Sequence, residues 1–183
     1  MPGTGGAEAA ARRGESLMEA ARWDEAARAF IEARKLEPGS ADLAFNLGLA
    51  RLNDGRARDA RKAFEEALAL GGEAADLRCN LGLAFFELDR TDEAERNYRR
   101  ALELDPRHPE ASNNLGVILF GRGDFARARA RFEAAVAARP GYRDAWFNLG
   151  DCCAELAAGG DANAAGRQAE AAARLVELDG RKA

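Results

Sequence analysis

The sequence predicts an all-α protein, a solenoid of about five helix-turn-helix units, and three observations in one register predict it. The tripeptide Asn-Leu-Gly occurs at Asn46-Leu47-Gly48, Asn80-Leu81-Gly82, Asn114-Leu115-Gly116 and Asn148-Leu149-Gly150, 34 residues apart each time. In step with it run Ala26 and Phe30, Ala60 and Phe64, Ala94 and Tyr98, and Ala128 and Phe132. Pro38, Pro106 and Pro140 keep the same period, with Gly72 where the missing proline falls. A fixed period of about 20–50 residues marks a repeat architecture, in which each unit is one supersecondary element that buries its apolar face on its neighbours.

The elements follow in order. Residues 1–6 contain Pro2, Gly3, Gly5 and Gly6 and read as a disordered tail. Unit one spans 7–40. Its first helix is poor in large apolar residues, and Arg13 stands where later units have Leu, as suits a terminal cap with one neighbour. Trp23-Asp24-Glu25 opens its second helix with acids that suit the helix dipole. Units two, three and four span 41–74, 75–108 and 109–142, each a helix, a short turn and a helix. Asp54-Gly55 and Gly123-Asp124 supply turns, and Pro140-Gly141 ends a helix; Leu88-Asp89 lacks glycine, which predicts a tighter or strained turn.

Small residues pair across each hairpin: Gly48 with Ala60, Gly82 with Ala94, Gly116 with Ala128. Gly inside a helix is about 1 kcal/mol less favourable than Ala, so its repetition implies a packing reason. The pairs predict a close approach of the two backbones, with Phe64, Tyr98 and Phe132 filling space against the next unit.

Unit five, 143–179, opens in register with Trp146-Phe147-Asn148-Leu149-Gly150, but its turn, Gly159-Gly160-Asp161, comes about three residues late and Leu178-Asp179 six late. Two accounts fit: an extended capping hairpin with about one extra turn in each arm, or an irregular loop from Gly159 to Gly166. In the capping hairpin Arg167, Gln168, Glu170, Arg174 and Glu177 face water, and Leu175 and Leu178 pack inward. Residues 180–183 read as a C-terminal tail.

Composition narrows the function. A net charge of −4 argues against nucleic acid as partner. No apolar run approaches the roughly 18 residues of a membrane span, and the N-terminus lacks the apolar core of a secretory signal, so a cytoplasmic location is expected. Cys79, Cys152 and Cys153 have no metal or redox spacing; Cys152 and Cys153 point about 100° apart on a helix and read as small packing residues. The one histidine, His108, lies between Pro106 and Pro109 and reads as a turn residue. With no phosphate-binding loop, metal-ligand cluster or nucleophile elbow, the chain reads as a non-enzyme with no catalytic residue, metal or cofactor.

A 34-residue period with Gly in its first half, Ala-x-x-x-Phe in its second and Pro at its end resembles the tetratricopeptide repeat (TPR) family. The resemblance covers residues 7–142 without insertion or deletion and continues, altered, to about 179. It implies a right-handed superhelical TPR solenoid, with the first helix of each unit lining a concave groove at unit positions 2, 5, 6, 9, 12 and 13. Position 2 is then Asp42, Asp76, Glu110 and Asp144; position 5, Phe45, Cys79, Asn113 and Phe147; position 6, Asn46, Asn80, Asn114 and Asn148. Position 9 is Leu49, Leu83, Val117 and Asp151; position 12, Leu52, Phe86, Phe120 and Ala154; position 13, Asn53, Glu87, Gly121 and Glu155.

Those positions hold seven acids and no Lys or Arg. The resemblance therefore does not extend to the chaperone-binding members, whose cationic clamp holds a carboxylate. The asparagine row matches either a ladder that holds the backbone of an extended peptide or amides bonded locally. The apolar members are either inter-helix core or an exposed binding patch. The expected function is a protein-interaction module whose groove takes an extended or helical peptide with apolar anchors and Lys or Arg flanks. The alternatives are a self-associating homo-oligomeric scaffold and the regulatory subunit of an enzyme complex.

Overall fold

Each half of the repeat becomes one helix. In the computed structural model, which describes residues 4–180, the chain forms α1 (Thr4–Glu19), α2 (Trp23–Leu36), α3 (Ala41–Asn53), α4 (Ala57–Ala69), α5 (Ala75–Phe86), α6 (Thr91–Leu104), α7 (Pro109–Gly121), α8 (Phe125–Ala138), α9 (Arg143–Ala158) and α10 (Ala164–Gly180). No strand occurs among the described residues. None of these helices is long and apolar enough to cross a membrane. Of the tail expected over 1–6, residues 1–3 lie outside the described residues, whereas Thr4–Gly6 are helical. A Cβ on Gly6 would lie 3.2 Å from Leu36 Cδ1, so α2 supports this first turn of α1. Of the second tail, Gly180 ends α10 and 181–183 lie outside the described residues.

The chain divides into two compact units, Met1–Asn97 and Tyr98–Ala183. In the first, α1 packs on α2, α2 on α3, α3 on α4 and α4 on α5. Its core gathers Ala10, Ala26, Phe30, Leu43 and Leu47. In the second, α7 packs on α8, α8 on α9 and α9 on α10. Phe132, Leu149, Cys152 and Cys153 are fully buried there, each apolar side chain contributing roughly 1.5–3 kcal/mol. Burial raises the Cys152 thiol to about 11, with Cys153 adding to the shift, and its Sγ lies 3.2 Å from the Phe125 carbonyl. All three cysteines are buried.

One turn geometry recurs in four hairpins. Ala21, Gly55, Asp89 and Gly123, 34 residues apart, take φ of 54°, 71°, 58° and 76°. The next residue's N–H then reaches back to close the preceding helix: Arg22 to Leu17 O at 2.8 Å, Arg56 to Arg51 O at 2.8 Å, Arg90 to Phe85 O at 3.0 Å, Asp124 to Leu119 O at 3.0 Å. This is the Schellman closure, normally served by glycine. Leu88-Asp89 is therefore no tighter than its counterparts. Its strain is the ordinary one of an L-residue in the left-handed region, and Ala21 shares it.

The repeated glycine admits a ring rather than a second backbone. A Cβ on Gly48 would lie 2.4 Å from Phe64 Cε1, one on Gly116 2.6 Å from Phe132 Cε1, and one on Gly14 2.7 Å from Phe30 Cε1. The atoms nearest Gly48 and Gly116 are thus those of the ring sixteen residues on in the same hairpin, not those of Ala60 or Ala128. Phe64 and Phe132 fill space within their own hairpins. Gly14 belongs to the same series although its helix carries no Asn-Leu-Gly.

Helices α9 and α10 run 16 and 17 residues, against 13 and 14 for α7 and α8. The turn between them closes in the same way three residues late, with Gly160 at φ 95° and Asp161 N–H on Leu156 O at 2.9 Å. Leu175 and Leu178 are half-buried, and Gln168, Glu170 and Glu177 are exposed. Arg167 and Arg174 depart from the expected solvent face. Arg167 lies 5.9 Å from the Trp146 ring centroid and donates to Glu133 at 3.2 Å; Arg174 donates to the Pro140 carbonyl at 3.5 Å. Their apolar stems cover the last hairpin while the charge stays wet.

Candidate interaction surfaces

In the first unit, α3 and α5 carry the expected positions. Asp42 and Asp76 are exposed, and Phe45, Asn46, Leu49, Asn80 and Leu83 are half-buried. Phe45 packs on Phe64 with centroids 5.8 Å apart, so it belongs to its hairpin core. Phe86 is exposed. Asn80 Nδ2 donates to the Asp76 carbonyl one turn back at 2.8 Å, which is the local bond rather than a free amide.

In the second unit, Asn113 is buried and joins two helices. Asn148 Nδ2 on α9 donates to its Oδ1 at 2.9 Å, and its own Nδ2 donates to Asn114 Oδ1 at 3.2 Å. Three amides therefore bind one another. Phe120 is half-buried edge-on against Phe125, centroids 5.2 Å apart, and Val117 is half-buried. Phe147 is 51% exposed. Asp144 and Asp151, at i−3 and i+4 from it, are exposed on the same side of α9.

Glu110 does not stand free in the acidic row, because Arg139 pairs with it. The partner comes from the end of α8, 29 residues on, a pairing that helix spacing does not reveal. His108 is likewise more than a turn residue. It is 5% exposed and caps α7, its Nδ1 accepting the Ala111 N–H at 3.2 Å. The same nitrogen lies 3.4 Å from Glu110 Oε2. Among the described residues no three His, Cys, Asp or Glu side chains cluster to hold a metal ion.

The clefts lie elsewhere, over the second helices. In the first unit one of about 290 Å³ is lined by Arg34 of α2, Leu47 and Arg51 of α3, and Arg56, Asp59, Lys62, Ala63 and Glu66 in and just before α4. In the second unit one of about 430 Å³ is lined by Leu102, Leu115, Leu119, Arg99, Glu103, Arg127, Ala130 and Arg131. Another of about 470 Å³ lies between α8 and α10 and includes Val136, Trp146, Arg167, Glu170 and Arg174. The first two are the same place in the repeat, 68 residues apart: Leu47 and Leu115, Arg51 and Leu119, Ala63 and Arg131. These residues lie outside the six unit positions at which the resemblance places groove contacts. The signal was present in Arg51 and Arg34, bases at positions that hold apolar residues in later units.

A tetratricopeptide repeat family model matches residues 11–75, 48–95, 79–129 and 118–179. The chain belongs to the tetratricopeptide repeat family. No curated protein matches it in sequence. Among solved structures the TPR chain is similar to MamA, at 21% identity and TM-score 0.71, covering 96% of this chain and 93% of that one. It is similar to YrrB, described as a TPR protein with an unusual peptide-binding site, at 23% identity and TM-score 0.68, covering 92% and 84%. It is also similar to PilF of Pseudomonas aeruginosa, at 18% identity and TM-score 0.81, covering 94% and 76%. At these identities the likeness is one of fold, and these TPR hairpins are all-α throughout the described residues.

Proposed function

We propose that this TPR protein is a non-enzymatic protein-interaction module whose first-helix faces take an extended or helical peptide with apolar anchors and Lys or Arg flanks. The observation that carries this is Phe147, 51% exposed between the exposed carboxylates of Asp144 and Asp151. An aromatic ring left in water beside two acids suits an apolar anchor with a basic neighbour. Phe86, exposed on α5, offers the same chemistry in the first unit. The peptide-binding site ascribed to YrrB supports the ligand class.

The test is fluorescence anisotropy with labelled basic-apolar and acidic-apolar peptides. The basic series binds more tightly, and the preference shrinks as salt brings the Debye length below about 10 Å. Asp144→Lys with Asp151→Lys reverses the preference, whereas Phe147→Ala weakens both series. Equal binding of acidic peptides at low salt removes this reading.

A second reading, self-association, is favoured by α10. Ala165, Ala169, Ala172 and Val176 form an exposed stripe at helical spacing, with Val176 73% exposed. Mass measured at two concentrations separates the two, since only self-association gives a mass that rises with concentration.

A further inference from the structure

We propose that the cleft over α2, α3 and α4 binds a phosphomonoester dianion. Arg34 is followed at the 34-residue period by Leu68, Leu102 and Val136, and Arg51 by Phe85, Leu119 and Cys153. Only α2 with α3 thus places arginine at both positions, and the two arginines line one cleft of about 290 Å³. Arg34 Nε and Arg51 Nη1 are both buried without a hydrogen-bond partner among the described residues. A guanidinium N–H taken out of water and left unpaired is unfavourable, so two in one cleft ask for an acceptor.

The charges in the cleft set its sign. Arg34 pairs with Glu66, and Arg56 with Asp59 at 2.6 Å and more distantly with Asp24 at 3.8 Å. Arg51 and Lys62 line the same cleft and form no ion pair among the described residues. Two cationic charges therefore remain. A carboxylate supplies one negative charge and two oxygens. A phosphomonoester supplies about two charges and three terminal oxygens, enough for the Arg51 fork, the Lys62 ammonium and the Arg34 N–H. In the corresponding cleft of the second unit Leu119 replaces Arg51 and Leu102 replaces Arg34. None of its lining residues belongs to the peptide surface proposed around Phe147 and Phe86.

The experiment is calorimetric titration and thermal melting of the full chain with inorganic phosphate, a phosphoserine peptide and acetate, at matched ionic strength. Phosphate and the phosphoserine peptide bind and raise the melting temperature, and acetate does not. Arg51→Gln weakens phosphate binding by at least about tenfold, the scale of one charge-assisted hydrogen bond. Lys62→Gln, at an exposed position, weakens it without disturbing the core. Arg131→Gln, in the second unit's cleft, leaves it unchanged. Tighter binding of the phosphopeptide than of phosphate assigns the site to a phosphorylated segment, and equal binding to the free anion. An equal response to acetate, no binding of either phosphate form, or binding that survives both Arg51→Gln and Lys62→Gln overturns the proposal.

Discussion

Gly116 and Gly150 each close the same tripeptide, Asn-Leu-Gly, yet they meet different neighbours. A Cβ on Gly116 would lie 2.6 Å from Phe132 Cε1, well inside contact distance; on Gly150 the nearest atom is Ala171 Cβ at 3.7 Å, an ordinary contact. The partner ring Phe132 is 1% exposed and has nowhere to go. In the hairpin of α9 and α10, Gly166 holds the place in the period that Phe132 holds in the one before. The longer arms bring Ala171 opposite Gly150 instead. The glycine is thus required by its aromatic partner, and where that partner is lost the same motif has room to spare.

This comparison can be broken most forcefully from the ring side. Phe132→Ala leaves a cavity opposite Gly116 and should destabilise the protein by about 3–5 kcal/mol in urea unfolding followed by circular dichroism. A loss near that of a surface substitution would show that the ring is not packed on its glycine. A sharper test exchanges the glycines. Gly116→Ala should destabilise by roughly 1–3 kcal/mol through overpacking, despite alanine's better helix propensity. Gly150→Ala should stabilise by up to about 1 kcal/mol, since propensity acts there unopposed. Effects of the same sign at both sites would contradict the packing account.

The turns offer the smallest version of the contrast. Gly55 and Gly123 hold the left-handed position without a side chain, whereas Ala21 holds it with one at φ 54°. Ala21→Gly should therefore raise stability by about 1 kcal/mol, read as an increased urea midpoint, and Gly123→Ala should lower it by a similar amount. No change at Ala21 would mean that the entropy gained by an unfolded glycine cancels the relief of strain.

Much of this was legible in the chain. The helix starts at Ala41, Ala75, Pro109 and Arg143 fall on the 34-residue period, because capping, turn and apolar spacing are local chemistry. The site was legible in residue type but not in partnership. Asp144, Phe147 and Asp151 stand exposed together on one helix, as spacing alone requires. Glu110, by contrast, is engaged by Arg139, and Phe120 by Phe125, through contacts made between helices. Two of the asparagines bond to amides in their own unit, and a third to its own helix.

What the sequence determined by itself was the repeat: about five helix-turn-helix units, their order, and the hairpin in which each glycine sits. A period is carried by residues close in the chain, whose preferences act before any packing is chosen. Only the tertiary structure decided that Gly48 and Gly116 face rings rather than Ala60 and Ala128, and that Arg34 and Arg51 share one cleft. Those choices depend on separations of a few ångströms between helices, and dispersion and hydrogen bonding change sign or vanish over just that range.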